Sequence, residues 1–301
     1  MSAPSNVIDF VVNQVNGVTG LADLGLESVP NQYIQPPEER LDNGNIVSEE
    51  SIPTIDFTNW DDPEVAESIY NAATNQGFSP HAEATLEWKD HLQLVYASEE
   101  KAKEYWPAVC RDQALEYMKC AEVLIRRLLK VLLKKLNVKD MDKAREHVLI
   151  GVMTLAFNYY TPCPNPELVS GIGRHSDISS ITVLLQDEIG GLYVRASNGD
   201  GWIYVPPVEG ALVINIGDVL QIMSNDRYKS IEHRVVANRS KTRISLPIFV
   251  NPAPDAIVAP FPEVLENGEE PKYRQLVYSD YFKYFFSKPH DGKKTIEFAK
   301  I

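Results

Sequence analysis

Six histidines are spread through the 301 residues, and two of them have a carboxylate two positions on: His81 with Glu83 and His175 with Asp177. Residues i and i+2 of a strand project from the same face. His175 and Asp177 run straight into the β-rich stretch Ile178 to Leu185, so they can reach one ion together. His81-Ala82-Glu83-Ala84 follows Pro80 and has no β-rich surroundings, so the same-face geometry is not assured there. A third ligand must come from another strand, and His233 sits in such a run, Ser230 to Val236. Two histidines and one carboxylate leave coordination positions open on the ion, the donor arrangement of non-haem Fe(II) centres that work on O₂. Alone, His-x-Asp is a weak signal, and a single strand histidine is more often a core or surface residue than a ligand.

A second constellation adds weight. Arg243-Ile244-Ser245 puts two polar side chains on one strand face shortly after His233. An apolar interior rarely accepts arginine without an anionic partner. The guanidinium offers a bidentate fork for a carboxylate and serine adds a hydroxyl, so the pair suits the distal carboxylate of a dicarboxylic cosubstrate. A surface arginine beside a strand serine fits the same spacing, and spacing alone leaves the two open.

These groups need a frame. From Val152 onward, short alternating runs recur between turn signals: Val152–Tyr160, Ser180–Leu185, Gly191–Arg195, Trp202–Val205, Ala211–Ile216, Ser230–Val236 and Thr242–Val250. Many short strands at such spacing predict two sheets enclosing a cavity, a jelly roll. Before Gly151 the pattern is mostly helical. The longest helix is expected over Arg111 to Leu136, where Leu115, Met118, Ile125, Leu129 and Leu132 form an apolar stripe and the interspersed lysines and arginines a solvated face. A short helix and loop are expected within Val7–Leu26, a strand at Ile52–Phe57, and a helix starting at Asp61-Asp62-Pro63 and running towards Gly77. The reading is therefore α+β: a mostly helical region over 1–150 and a β-rich domain with a C-terminal extension over 151–301.

Composition sets the outer bounds. Apolar residues make up 44% and charged residues 24%, ordinary for a globular chain. No apolar run is long enough to cross a bilayer, and Met1 to Asn6 lacks the basic start of a signal peptide. A net charge of −13 disfavours nucleic acid and anionic membrane as partners. Three scattered cysteines form no disulfide framework, so a cytoplasmic, reducing location is expected.

Taken together, Asn158-Tyr159-Tyr160, His175-x-Asp177, His233 and Arg243-x-Ser245 resemble the plant 2-oxoglutarate-dependent dioxygenases in order and spacing. The resemblance implies a double-stranded β-helix with surrounding helices, Fe(II) on His175, Asp177 and His233, and 2-oxoglutarate held by Arg243 and Ser245. It also implies that Asn158 and Tyr160 help to seat the cosubstrate, residues that otherwise read as ordinary strand positions. Ascorbate is expected as a stimulant, and a monomer acting on a small molecule is expected. More narrowly, Asp9-Phe10-Val11-Val12, Tyr33-Ile34-Gln35-Pro36, Leu86-Glu87-Trp88-Lys89-Asp90 and Pro289-His290-Asp291-Gly292-Lys293-Lys294 resemble the feruloyl-CoA and p-coumaroyl-CoA ortho-hydroxylases that lead to coumarins. Phe249, just beyond the clamp, is a candidate for contact with an aromatic substrate, with a plain core role as the alternative.

The chain departs from that family at three places. Thr161 stands where proline is usual, and His91 where tyrosine is frequent. At Gly77-Phe78-Ser79-Pro80 the chain passes directly over a segment that relatives fill with about fifty residues, more than one supersecondary unit. The expected reaction is hydroxylation of a phenylpropanoyl-CoA ortho to its side chain. The alternatives are a related dioxygenase acting on another phenolic, such as a coumarin, and a catalytically impaired, shortened member.

Overall fold

In a computed structural model, the structure describes residues 3–47, 52, 85–138, 141–197, 199, 201–266, 268–288, 290 and 292–301. All but Ile52 of the strand expected at Ile52–Phe57, the helix from Asp61, the pair His81 and Glu83, and the junction of Phe78 with Ser79 lie outside them.

Alternation of side chains builds the main sheet. It comprises β1 (Asp90–Tyr96), β2 (Val152–Tyr160), β9 (Arg243–Asn251), β4 (Ile181–Gln186) and β7 (Val213–Ile216), hydrogen-bonded in that order. All these pairings are antiparallel. One face carries Leu155, Ile181, Val183, Ile248 and Val250, all fully buried. They share a core with Met118, Ile125, Leu129 and Leu132 of the long helix α3 (Arg111–Lys135). That helix forms because its apolar positions recur every three or four residues, and just past its end Asn137 turns the chain with a φ of 62°, a conformation asparagine tolerates. Burying one such leucine or isoleucine contributes about 1.5–3 kcal/mol, so this stripe fixes the sheet against the helical half.

The alternate residues face the other way, into a cavity: Ala156, Asn158 and Tyr160 of β2, Thr182 and Leu184 of β4, and Arg243, Ser245 and Phe249 of β9. A second sheet in the order β3 (Ile172–His175), β8 (His233–Val235), β5 (Leu192–Arg195), β6 (Trp202–Tyr204) contributes Ile172, Val194 and Val235 to the same cavity. The two sheets form the jelly-roll core of an α+β fold.

Smaller elements complete the frame. A π-helical turn at Asp9–Asn13 and helix α1 (Gly17–Asp23) occupy the expected N-terminal stretch. Helices α2 (Glu99–Tyr105) and α4 (Lys143–Leu149) begin with Ser98 and Asp142, whose side chains accept N–H bonds from Lys101 and Arg145. Helices α5 (Asp218–Met223), α6 (Pro262–Leu265) and α7 (Tyr278–Phe286) and the short pair β10 (Ile257–Val258) and β11 (Leu276–Val277) follow.

Two differences from the sequence reading have physical causes. Residues 90–96, not read as a strand, form β1 and pair with β2. As an edge strand β1 exposes Leu92 and Val95, so its polar-apolar alternation is blurred. Asp177 does not share a strand face with His175. Strand β3 ends at His175 and β4 starts at Ile181, and Asp177 lies in the turn between them.

Candidate active site

His175 is the last residue of β3 and His233 the first of β8, and the two are direct partners across the sheet. Their rings lie 4.3 Å apart between centroids. Asp177 Oδ1 lies 3.5 Å from His175 Nε2 and 3.7 Å from His233 Nε2. One ligand atom from each of the three falls within 4.8 Å of the others, which suits a single ion. Among the described residues, this is the one such group.

The atoms facing away from this point are all engaged. His175 Nδ1 lies 2.8 Å from the carbonyl of Gly173, and His233 Nδ1 lies 3.2 Å from that of Ile231. A carbonyl only accepts, so each Nδ1 carries a proton, and in the neutral ring Nε2 is then the nitrogen with a lone pair to offer. Asp177 Oδ2 accepts from Thr182 Oγ1 at 2.6 Å and from Asn215 Nδ2 at 2.9 Å. Oδ1 is thereby left for an ion. Burial pushes the Asp177 carboxyl up, but the two histidines and the Thr182 hydroxyl outweigh it and hold the group well below the usual carboxylate range. Burial, and then the neighbouring His175, lower the pKa of His233. Metal binding uses the ionised form of an aspartate and the neutral form of an imidazole.

Across the cavity, Tyr160 pairs with Arg243 and Asn158 with Ser245 in the β2–β9 register. Arg243 and Ser245 are each 2% exposed. Arg243 donates from Nη2 to Gln186 Oε1 (2.9 Å) and from Nη1 to Ser245 Oγ (3.3 Å), and its guanidinium carbon sits 5.0 Å from the centre of the Tyr160 ring. No carboxylate pairs with it among the described residues. Arg243 Nε and the Tyr160 hydroxyl are buried without a hydrogen-bond partner. Orphaned buried donors cost about 1–3 kcal/mol each when left unmet, and the guanidinium beside them is a group that an anion would pair with. A dicarboxylate therefore fits this end of the cavity, and a divalent metal fits the other.

The cavity measures about 820 Å³. It brings together every residue proposed from sequence: Asn158, Tyr160, His175, Asp177, His233, Arg243, Ser245 and Phe249. His91, the unusual position on β1, also lines it. Sequence reading gave no role to Thr182, Asn215 or Gln186. Thr182 and Gln186 pair with Phe249 and Ser245 across β4 and β9, and Asn215 of β7 pairs with Thr182, neighbours that only the strand pairing reveals. Nor did it find that Phe282, Phe285 and Phe286 of α7 and His290 line the cavity.

Residues 151–252 match the 2OG-Fe(II) oxygenase superfamily. A bi-functional coumaroyl CoA and feruloyl CoA ortho-hydroxylase of Ipomoea batatas is 49% identical, over 99% of this chain and 97% of its own. The chain belongs to the 2OG-Fe(II) oxygenases. It is thus an oxidoreductase of the dioxygenase type, and the family implies Fe(II) and 2-oxoglutarate. A feruloyl CoA ortho-hydroxylase of Arabidopsis thaliana is 47% identical, over 100% of this chain and 97% of its own. A crystal structure of JOX2 in complex with 2OG, Fe, and JA is 27% identical with a TM-score of 0.78, covering 94% of this chain and 97% of that one. The alignment with the first of these runs over 347 positions, more than the 301 residues present, so part of that relative has no counterpart here. No helix among the described residues is long and apolar enough to cross a membrane.

Proposed function

We propose that this chain hydroxylates a phenylpropanoyl-CoA, feruloyl-CoA or p-coumaroyl-CoA, at the ring position ortho to the side chain, in coumarin biosynthesis. The observation that carries this reading is the identity of almost one half with ortho-hydroxylases of these thioesters over nearly their whole length. In the proposed assignment His175, Asp177 and His233 hold Fe(II). Arg243 and Ser245 hold the distal carboxylate of 2-oxoglutarate, and Asn158 and Tyr160 seat the rest of it. When bound, Fe(II) and 2-oxoglutarate supply the oxidising power that places one oxygen atom of O₂ on the substrate, with succinate and CO₂ as the other products. The protein supplies orientation. Carbonyls of Gly173 and Ile231 keep the imidazoles turned inward, and Thr182 and Asn215 fix the carboxylate. Leu184, Leu192, Val194, Ile231 and Val235 line the cavity with apolar surface that excludes water from the reaction. Phe249 and the rings of α7 are the proposed contacts for the aromatic substrate. Ascorbate is the proposed stimulant, a cytoplasmic monomer the proposed state, and residue 150 the proposed boundary between the two regions.

One observation favours a second reading. The positions of the relatives that this chain lacks support a shortened member whose hydroxylation is impaired, and the sequence assigns the gap to the junction of Phe78 and Ser79. The test is to incubate the purified chain with Fe(II), 2-oxoglutarate and a panel of acyl-CoAs and free coumarins, measuring succinate and hydroxylated product. Feruloyl-CoA or p-coumaroyl-CoA should give about one product per succinate. Product from coumarins alone would overturn the substrate assignment, and succinate without any product would favour the impaired form.

A further inference from the structure

The strap that follows α7 turns back over the ligand strand. The Gly292 N–H donates to the Arg174 carbonyl at 3.0 Å, and the residue bridges to His175 as a parallel partner. With φ at +69°, a Cβ here would fall 2.7 Å from both Arg174 Nη1 and Glu232 Oε1, so glycine is needed for so close an approach. Two residues earlier, the His290 ring stacks on His175, with centroids 4.8 Å apart and planes 15° from parallel. Beyond it the rings continue. His290 lies 5.7 Å from Phe285, Phe285 4.9 Å from Phe286, and Phe286 4.6 Å from Phe282. A row of rings thus leads from the exposed side of α7 to a histidine of the metal triad.

Glu87 holds this row at its inner end. Its Oε1 accepts from His290 Nδ1 at 3.0 Å and from the Gly173 N–H at 2.9 Å. The Gly173 carbonyl in turn holds His175 Nδ1. Lys89 closes an ion pair on the other oxygen at 3.0 Å. One carboxylate therefore ties the C-terminal strap, the backbone of β3 and the ring of His175 into a single unit.

We infer that His290, fixed by Glu87, is a positioning residue: it braces the His175 ring and forms the inner end of an aromatic wall against which a planar substrate ring comes to rest. The inference rests on the reading of His175, Asp177 and His233 as the metal site and extends it to the C-terminal strap. The role is steric and orientational. His290 contributes no ligand atom to the triad, and no proton transfer is required of it.

Three variants of the full chain test this: His290→Ala, which removes ring and hydrogen bond; His290→Phe, which keeps a ring to stack; and Glu87→Gln, which weakens the tether. The readouts are hydroxylated product per succinate, the visible charge-transfer band of the anaerobic Fe(II)–2-oxoglutarate complex, and the melting temperature. His290→Ala should lower product per succinate about tenfold, within the ~10²-fold that a 1 Å misplacement can cost, and should shift the band. His290→Phe should restore most of both, with Glu87→Gln in between. If His290→Phe is as uncoupled as His290→Ala while both lose equal melting temperature, the residue is only structural and the inference is overturned. Wild-type coupling in all three also overturns it. If the unaltered chain forms no product from either thioester, the substrate reading fails separately. The band and the substrate-free release of succinate then decide on the brace, and a band identical in all variants rejects it. Should His290→Ala not fold, His290→Phe and Glu87→Gln carry the same comparison.

Discussion

The two ends of the cavity are finished in opposite ways. At the triad, each polar atom that faces away from the ion point already has a protein partner: carbonyls for both Nδ1 atoms, and Thr182 and Asn215 for Asp177 Oδ2. At the Arg243 end, donors are buried and left over, Arg243 Nε and the Tyr160 hydroxyl. The difference teaches where the folding energy resides. At the triad the protein itself holds each ligand group in place through these hydrogen bonds. At the Arg243 end the protein leaves donors for a ligand to meet, so ligand and stability are expected to be more tightly coupled there.

The largest expected effect comes from Asp177→Ala, which removes the carboxylate from the triad end. Iron titration should show a loss greater than the ~10–100-fold typical of an outer partner, and unchanged iron content would break the comparison at its root. Arg243→Lys keeps charge and loses the fork. The apparent affinity for 2-oxoglutarate should fall about 10–100-fold, in line with the ~1.5–3 kcal/mol of a charged hydrogen bond, with metal affinity kept. A cosubstrate titration that does not move would take Arg243 out of the contact. Thr182→Val deletes one of two supports of Asp177, so metal affinity should weaken by about tenfold, the low end for such partners, while 2-oxoglutarate binding at fixed saturating metal holds. The smallest effect sharpens the contrast most. Tyr160→Phe removes a buried hydroxyl that has no partner, so the ligand-free melting temperature should stay level or rise slightly. Cosubstrate affinity should drop severalfold, about 0.5–1.5 kcal/mol. A lower melting temperature without ligand would mean that this hydroxyl already has a partner.

The sequence made the second half legible wherever one face of a strand is buried and the other lines the cavity. Val152–Tyr160 alternates Met153, Leu155 and Phe157 toward the core with Thr154, Asn158 and Tyr160 toward the cavity, and β2 has those bounds. Ser230–Val236 is shorter in the structure, starting at His233, because the residues before it serve other ends. Ser230 Oγ donates to Asp218, and Glu232 is locked to Arg174 and Arg195. Arg243 and Ser245 were readable as a same-face pair, but burial was needed to separate an anion clamp from a surface arginine. The α7 wall and His290 were not legible: a tract as aromatic as Tyr278–Phe286 has no period that tells core from cavity lining, and the stacking of His290 on His175 joins residues far apart in the chain. Charge composition pointed away from nucleic acid, yet nothing in it points to a thioester.

The residues flanking His175 and His233 point away from the cavity, toward the N-terminal segment. Arg174, next to His175, is bound to Glu39 through Nε and Nη2, across a separation of 135 residues. Arg234, next to His233, donates to the Glu39 carbonyl at 2.8 Å, across 195. A nascent chain therefore presents Glu39 long before either arginine has been synthesised. Contacts of such sequence separation form late, since the chain entropy lost in closing them comes before any reward. The backing of these two strands thus becomes possible only once Arg234 has been synthesised. A chaperone or protease meeting the growing chain would encounter an acidic N-terminal arm still waiting for its arginines.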